Sequence, residues 1–174
     1  MAKLLIVVDM QNDFITGTLG SAQAQAIVPA VKAKIGACKK SGGKVLFTRD
    51  THYDDYLNTQ EGANLPVKHC IIGTHGHAIT NEIECGGCEI LDKKSFGSIE
   101  LAEKVAAFAP SFGEIELCGL CSDICVVSNA LILKARLPET KITVDAKACA
   151  GVSEESHKAA LLTMKMCQVN IVNG

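Results

Sequence analysis

Asp9, Asp50, Lys93, Cys125 and Asp145 each lie at or just beyond a short apolar, strand-like run. Taken singly, an Asp in such a place caps a turn and a Lys is solvated. Taken together they form a candidate site, because ligands of open α/β sheets bind outside the carboxyl ends of the strands. Cys125 is the best nucleophile among them. Ser122 or Asp123 is expected to cap the helix after the fourth run, which puts Cys125 in its first turn. There the unpaired N–H groups and the positive dipole end favour thiolate over thiol. The same N–H groups can receive an oxyanion. A thiol nucleophile needs a base for its proton; Asp9 can serve, and Lys93 can supply the cation that tunes it. The alternative for Cys125 alone is a buried packing thiol.

Elements of two different periods must position these groups. Apolar, β-branched runs occur at residues 4–8, 45–47, 89–91, 115–118, 142–144 and 169–172. Runs that are apolar throughout suit strands buried on both faces, as in parallel sheets. Helical stripes lie between them. Ile27, Val31, Ile35 and Cys38 form one, with Pro29 tolerable only in its first turn. Leu101, Val105 and Phe108 form another behind a Ser98 N-cap. A third runs from about Asp123 until Pro138 stops it, and a fourth opens at Ser153 with Glu154 and Glu155 in its first turn. Strands alternating with helices predict an α/β fold, a three-layer α/β/α arrangement around a doubly wound, mostly parallel six-stranded sheet. Residues 48–83 break the alternation. They form a long polar segment with four of the five histidines, and long loops are usually functional or disordered.

Composition bounds the function classes. At 174 residues the chain matches one domain spanning 1–174, at roughly 150 residues per domain. It is 48% hydrophobic and 21% charged, which supports one core and excludes a disordered chain. The net charge of −2, without any Lys/Arg run, removes the footprint of a nucleic-acid binder. The first apolar run is cut by Asp9, too short for a membrane span or a signal h-region. Nine cysteines without a secretory signal argue for a reducing, cytoplasmic setting, and an odd number cannot pair fully within one chain. Cys85/Cys88 and Cys118/Cys121 share a Cys-x-x-Cys spacing that invites a four-thiolate zinc reading. Incidental thiols are the favoured reading, because Cys118 ends an apolar run and no helix follows Cys85-Gly-Gly-Cys88 to lower a thiol pKa.

Three segments carry a family resemblance. Val8-Asp9-Met10-Gln11-Asn12-Asp13-Phe14, Lys93-Lys94-Ser95-Phe96 and Gly119-Leu120-Cys121-Ser122-Asp123-Ile124-Cys125-Val126 resemble the isochorismatase-like cysteine hydrolases. That superfamily includes nicotinamidases, pyrazinamidases and N-carbamoylsarcosine amidases. The resemblance runs from the first strand to the last. It implies an Asp9–Lys93–Cys125 catalytic triad, with Lys94 as the adjacent alternative to Lys93. It also implies a cis peptide at Leu120–Cys121 and an oxyanion hole from the backbone N–H groups of Cys121 and Cys125. Relatives commonly form dimers or larger assemblies, so a homo-oligomer is expected.

The long polar segment sharpens the resemblance. Asp50-Thr51-His52 and Leu65-Pro66-Val67-Lys68-His69-Cys70 resemble the nicotinamidase metal segment. Asp50, His52 and His69 would hold a divalent metal, Zn²⁺ foremost, with Mn²⁺ or Fe²⁺ as alternatives. Many nicotinamidases supply another His between these elements. This sequence has none there, so Glu61 is the expected substitute, with Asp54, Asp55 and Asn58 as other choices. His75 and His77 lie beyond the motif and are read as solvated, and His157 has no evident partner. The family often places a Trp near the second metal-binding His; Leu65 lies in that neighbourhood and the chain has no Trp. Phe14 remains to cover a flat substrate. The implied activity is hydrolysis of a small, nicotinamide-like amide to carboxylate and ammonia through a thioester. The alternatives are a metal-independent N-carbamoyl-amine amidase, an isochorismatase-type hydrolase, and a non-catalytic binding module.

Overall fold

The computed structural model describes residues 2–174. Strands β1 (Ala2–Val8), β2 (Lys44–Asp50), β3 (Glu89–Lys93), β4 (Phe112–Leu120), β5 (Ile142–Ala150) and β6 (Asn170–Val172) form one sheet. Its order is β3-β2-β1-β4-β5-β6, with every neighbouring pair parallel. From β1 the chain steps outward to β2 and β3, then returns to lay β4 on the other side of β1. The border of β1 and β4 is therefore the topological switch point, where the strand ends leave a crevice.

The helices are α1 (Asn12–Ile15), α2 (Ala22–Lys40), α3 (Gln60–Asn64), α4 (Ile99–Phe108), α5 (Val127–Arg136) and α6 (Glu154–Met166). Helix α2 packs across β1, β2, β4 and β5, while α4, α5 and α6 pack against one another as the opposite layer. Right-handed crossovers on the two sides of β1 require this division. Leu4 to Val8 are all buried between the layers, as continuous apolar runs of parallel strands predict. No helix among the described residues is long and apolar enough to cross a membrane.

Three boundaries differ from the sequence expectations. Pro29 lies in the interior of α2 rather than its first turn. Ser21 starts this helix early, its Oγ accepting from Ala24 N at 3.0 Å, and Ala22, Ala24 and Ala26 favour helix ahead of the proline. Residues 48–50 belong to β2, although Thr48 and Asp50 are polar, because their side chains feed a buried polar cluster instead of apolar core. Asp145 lies inside β5, not beyond its end. Ser98 and Ser153 do cap α4 and α6 as expected.

Candidate functional site

Asp9 leaves the end of β1 in the left-handed region, φ 48°, a conformation Asp tolerates better than most residues. The turn aims its carboxylate beneath the ends of β2 and β3. Thr48 Oγ1 donates to Asp9 Oδ1 at 2.7 Å, while Lys93 Nζ lies 2.7 Å from Asp9 Oδ2. The same ammonium is 3.2 Å from Asp50 Oδ1 and 3.4 Å from Cys125 Sγ. Asp9, Lys93, Asp50 and Cys125 are all buried.

The pleat selects between the two lysines. Arg49 pairs with Asp92 and Asp50 with Lys93 in the β2/β3 register. Successive side chains point to opposite faces, so Arg49 and Asp92 form an outer bidentate ion pair at 2.7 and 3.0 Å while Asp50 and Lys93 meet inside. Lys94, one residue on, is exposed.

Cys125 sits in a π-helical turn, Ser122–Val126, leading into α5. Its N-cap is Cys121, and no side chain caps it, contrary to the expected Ser122 or Asp123. Those two groups are drawn to α6 instead. Ser122 Oγ lies 2.7 Å from His157 Nδ1, so His157 does have a partner. Asp123 Oδ2 accepts from Val152 N at 2.9 Å and from Ser156 Oγ. The cysteine's protonation also differs from expectation. Burial, then the Asp9 carboxylate, push its thiol well above the ordinary range despite Lys93. Burial raises Asp9 above the usual carboxylate range although Lys93 opposes it. Burial disfavours the Lys93 cation, but the Asp9 and Asp50 carboxylates outweigh it and hold the ammonium charged. Desolvation of an anion among carboxylates thus works against a resting thiolate at this helix start.

The Leu120–Cys121 peptide is cis, and Cys121 lines the crevice beside Cys125. Gly119, at φ 118°, lets β4 pass against β1 here; a Cβ would stand 2.1 Å from Val8 O. Asn129 ties the turn to the β3–α4 loop. Its Nδ2 donates to Cys125 O at 2.8 Å and Phe96 O at 3.0 Å, and its Oδ1 accepts from Ser98 N at 3.0 Å.

Beside this cluster, ligand atoms of Asp50, His52, Glu61 and His69 lie within 4.8 Å of one another. His52 Nε2 is 2.9 Å from Asp50 Oδ2 and 3.5 Å from Glu61 Oε1; His69 Nε2 is 3.6 and 3.8 Å from the same two oxygens. Four ligands at about 2.1 Å around a tetrahedral zinc stand roughly 3.4 Å apart, so the spacing suits a small divalent cation. Two further observations fit. His52 Nε2 is buried, and its approach to Asp50 lacks hydrogen-bond geometry, leaving it without a hydrogen-bond partner. His69 Nδ1 is 2.8 Å from Val67 O, which can only accept; Nδ1 therefore carries the proton and Nε2 turns its lone pair to the group. Burial works against a charged His52, but Asp50 and Glu61 hold its pKa up to about 9. Burial raises Asp50, yet His52 and Lys93 outweigh it and keep it well below the usual carboxylate range. Asp54, Asp55 and Asn58 are exposed and outside the group.

Several supporting residues escaped sequence reasoning. Gln11 clamps Asp50: its Oε1 accepts from Asp50 N at 2.7 Å and its Nε2 donates to Asp50 O at 2.9 Å. His77 is buried, its Nε2 2.9 Å from Thr51 Oγ1, so only His75 is solvated as expected. Buried Tyr56 packs tilted against His52 and edge-on to His69, ring centroids 4.6 and 5.1 Å away. The four thiols of the Cys-x-x-Cys pairs form no metal group among the described residues: Cys118 is sealed within β4, and Cys85 and Cys88 flank a turn before β3.

Both clusters open on one cavity of about 500 Å³. Phe14, 5.7 Å from the His69 ring centroid, forms one wall; Leu65, Phe96, Ile124 and Val152 line others.

Residues 3–173 match the family model of the isochorismatase domain. The chain is 27% identical over 189 aligned positions to the nicotinamidase/pyrazinamidase of Mycobacterium tuberculosis, covering 98% of each chain. It superposes on the zinc complex of the Pyrococcus horikoshii pyrazinamidase with a TM-score of 0.86 at 25% identity, covering all of both chains. The N-carbamoylsarcosine amidase of Thermoplasma acidophilum shares the fold, with a TM-score of 0.82 at 24% identity and full coverage of both chains. With a match of this extent, the protein belongs to the isochorismatase domain family, as a hydrolase akin to its amidases.

Proposed function

We propose that this protein is a cysteine amidohydrolase, a single catalytic domain that cleaves a small, nicotinamide-like amide to carboxylate and ammonia. What supports the reading above all is one buried ammonium, Lys93 Nζ, in contact with Asp9, Asp50 and the Cys125 thiol at the floor of the cavity. Thr48 holds Asp9 Oδ1, and Oδ2, which faces Lys93 at 2.7 Å, accepts the thiol proton as Cys125 attacks the carbonyl carbon. Lys93 faces the sulfur as it becomes anionic, which offsets the burial that keeps the resting thiol neutral. The backbone N–H groups of Cys121 and Cys125 hold the tetrahedral oxyanion, a contact worth about 3 kcal/mol per donor. Asp9 returns the proton to departing ammonia, leaving a thioester on Cys125. Asp9 then deprotonates the water that releases the acid.

Asp50, His52, Glu61 and His69 would hold a divalent cation, with Zn²⁺, Mn²⁺ or Fe²⁺ all suited to two imidazoles and two carboxylates. When bound, it supplies a Lewis-acidic anchor for a substrate lone pair beside the nucleophile. Asp50 bears on both halves of the site, through Oδ1 to Lys93 and Oδ2 to the histidines.

Ammonia release from a panel of small amides tests the reading. Wild type releases ammonia from nicotinamide, Cys125→Ala does not, and acid-quenched wild type carries an acyl adduct on Cys125. Turnover retained in Cys125→Ala points instead to isochorismatase-type chemistry. Binding without turnover of any amide points to a non-catalytic module.

A further inference from the structure

We infer that the cavity selects uncharged carboxamides whose ring carries an apolar substituent, and discriminates against substrates bearing a carboxylate. This rests on the amidohydrolase reading and specifies the substrate of the same site. Size is the first argument. A single-ring carboxamide has about nine heavy atoms and fills less than about 270 Å³ even if each takes as much room as a liquid water molecule. Roughly half of the 500 Å³ cavity is then left over.

The chemistry of the walls decides what fills the remainder. Phe14, Leu65, Phe96, Ile124 and Val152 face it with aromatic and aliphatic carbon. Leu65 and Phe96 are 38% and 42% exposed, which is apolar surface that a ligand can cover. Charge is the other half of the argument. The charged side chains lining the cavity are the carboxylates of Asp50 and Glu61, and a divalent cation held between them offsets those two charges and leaves none over. Among the described residues no Lys or Arg lines it. Lys93, directly behind, is 2% exposed and committed to Asp9, Asp50 and Cys125. A carboxylate placed against the apolar walls, away from the divalent cation, therefore loses its hydration without gaining a cationic partner from the chain. An apolar substituent gains about fourfold in binding per buried methylene. Leu65 becomes a specificity-determining residue on this account.

Three pyridine-3-carboxamides that differ only at ring position 5, carrying hydrogen, ethyl or carboxylate, test the inference. Ammonia-release kcat/KM is measured on metal-loaded wild type and Kd on Cys125→Ala. The ethyl compound is expected to exceed the parent by about fourfold to tenfold. The carboxylate is expected to fall at least about 100-fold below the parent. Leu65→Arg should raise kcat/KM for the carboxylate by about tenfold or more and lower it for the ethyl compound. A parent that outperforms the ethyl compound tenfold, or a carboxylate within threefold of the parent, overturns the inference and leaves the amidohydrolase reading standing. If no amide is turned over, that reading fails, and the order of Kd values on wild type still decides the selectivity.

Discussion

The sheet carries two buried ionic clusters, and they are built on opposite terms. One surrounds Lys93 at the carboxyl ends of β1, β2 and β3. The other surrounds Lys34 of α2, whose Nζ lies 2.5 Å from Glu116 and 2.6 Å from Asp145 on β4 and β5. In the Lys34 cluster the partners are complete. Lys3 joins Glu116 at 2.8 Å and Glu114 at 3.2 Å, Lys141 joins Glu114 at 2.9 Å, and Asn173 Nδ2 donates to Asp145 at 2.9 Å. Its lysines reach solvent and keep part of their hydration, while Glu116 and Asp145 stay covered. The Lys93 cluster lacks that relief. Its ammonium and Asp9 are wholly enclosed, so Lys93 and Asp9, 2.7 Å apart, face each other without solvent, and the adjoining His52 Nε2 is buried without a hydrogen-bond partner. A network that only stabilises a fold closes its hydrogen bonds and keeps its charges wet, whereas perturbed, enclosed ionisable groups gather at functional sites.

The contrast is broken most severely at Lys93. Lys93→Ala should lower kcat by at least about a thousandfold. It should also cost roughly 3–5 kcal/mol of stability, because Asp9 and Asp50 are left as buried, uncompensated carboxylates. Lys94→Ala, one residue away and exposed, should leave both unchanged. Paired ammonia-release kinetics and urea melts read the two effects, and a reversed ranking of the lysines sinks the register of the site.

The metal group tests the unpartnered His52 Nε2. Chelation should abolish most nicotinamide turnover, and His52→Ala or His69→Ala should remove bound metal on elemental analysis. Neutral imidazoles are needed for ligation, and protons compete for His52 below about pH 9. Metal affinity should therefore weaken steadily as pH falls from 9 to 6. Affinity that is flat across that window counts against His52 as a ligand.

Lys34→Met should be milder than Lys93→Ala, roughly 1–3 kcal/mol with kcat unchanged, since Lys3 and Asn173 still serve its carboxylates. The same cluster has an acid signature. Burial raises the Glu114 carboxyl, but Thr143, Lys141 and Lys3 outweigh it and lower its pKa to about 2. Because the folded value lies below the unfolded one, Glu114 contributes stability above about pH 4.5, and this is lost as pH falls toward 2. Glu114→Gln should flatten that part of the acid melt, with no effect on turnover.

The smallest effect concerns thiol labelling. Cys125 is buried and neutral at rest, whereas Cys167 is exposed. Brief iodoacetamide treatment should label Cys167 first and leave activity intact, with peptide mapping as the readout. Rapid loss of activity with Cys125 labelled first means a resting thiolate and breaks the proposed proton path.

The sequence by itself determined the six strands, the four longer helices and the alternation that makes the sheet parallel, because burial on both faces writes continuous apolar runs into each strand. The short α1 and α3 were not legible in it. It also brought Asp9, Asp50, Lys93 and Cys125 to strand or helix ends, and the family resemblance rests on those same segments. Position along one strand is local information and period 2 reads it directly. The third dimension decided what depends on neighbours distant in sequence. Glu61, rather than Asp54 or Asp55, comes together with Asp50, His52 and His69 because α3 brings it beside the two histidines. Asp145 belongs to the Lys34 cluster because β5 continues past it. His77 and His157 found buried partners in Thr51 and Ser122, from loops and helices that no spacing rule connects. The charge state of Cys125 was beyond the sequence for the same reason: a helix start is visible in one dimension, but desolvation by every layer packed around a thiol is not.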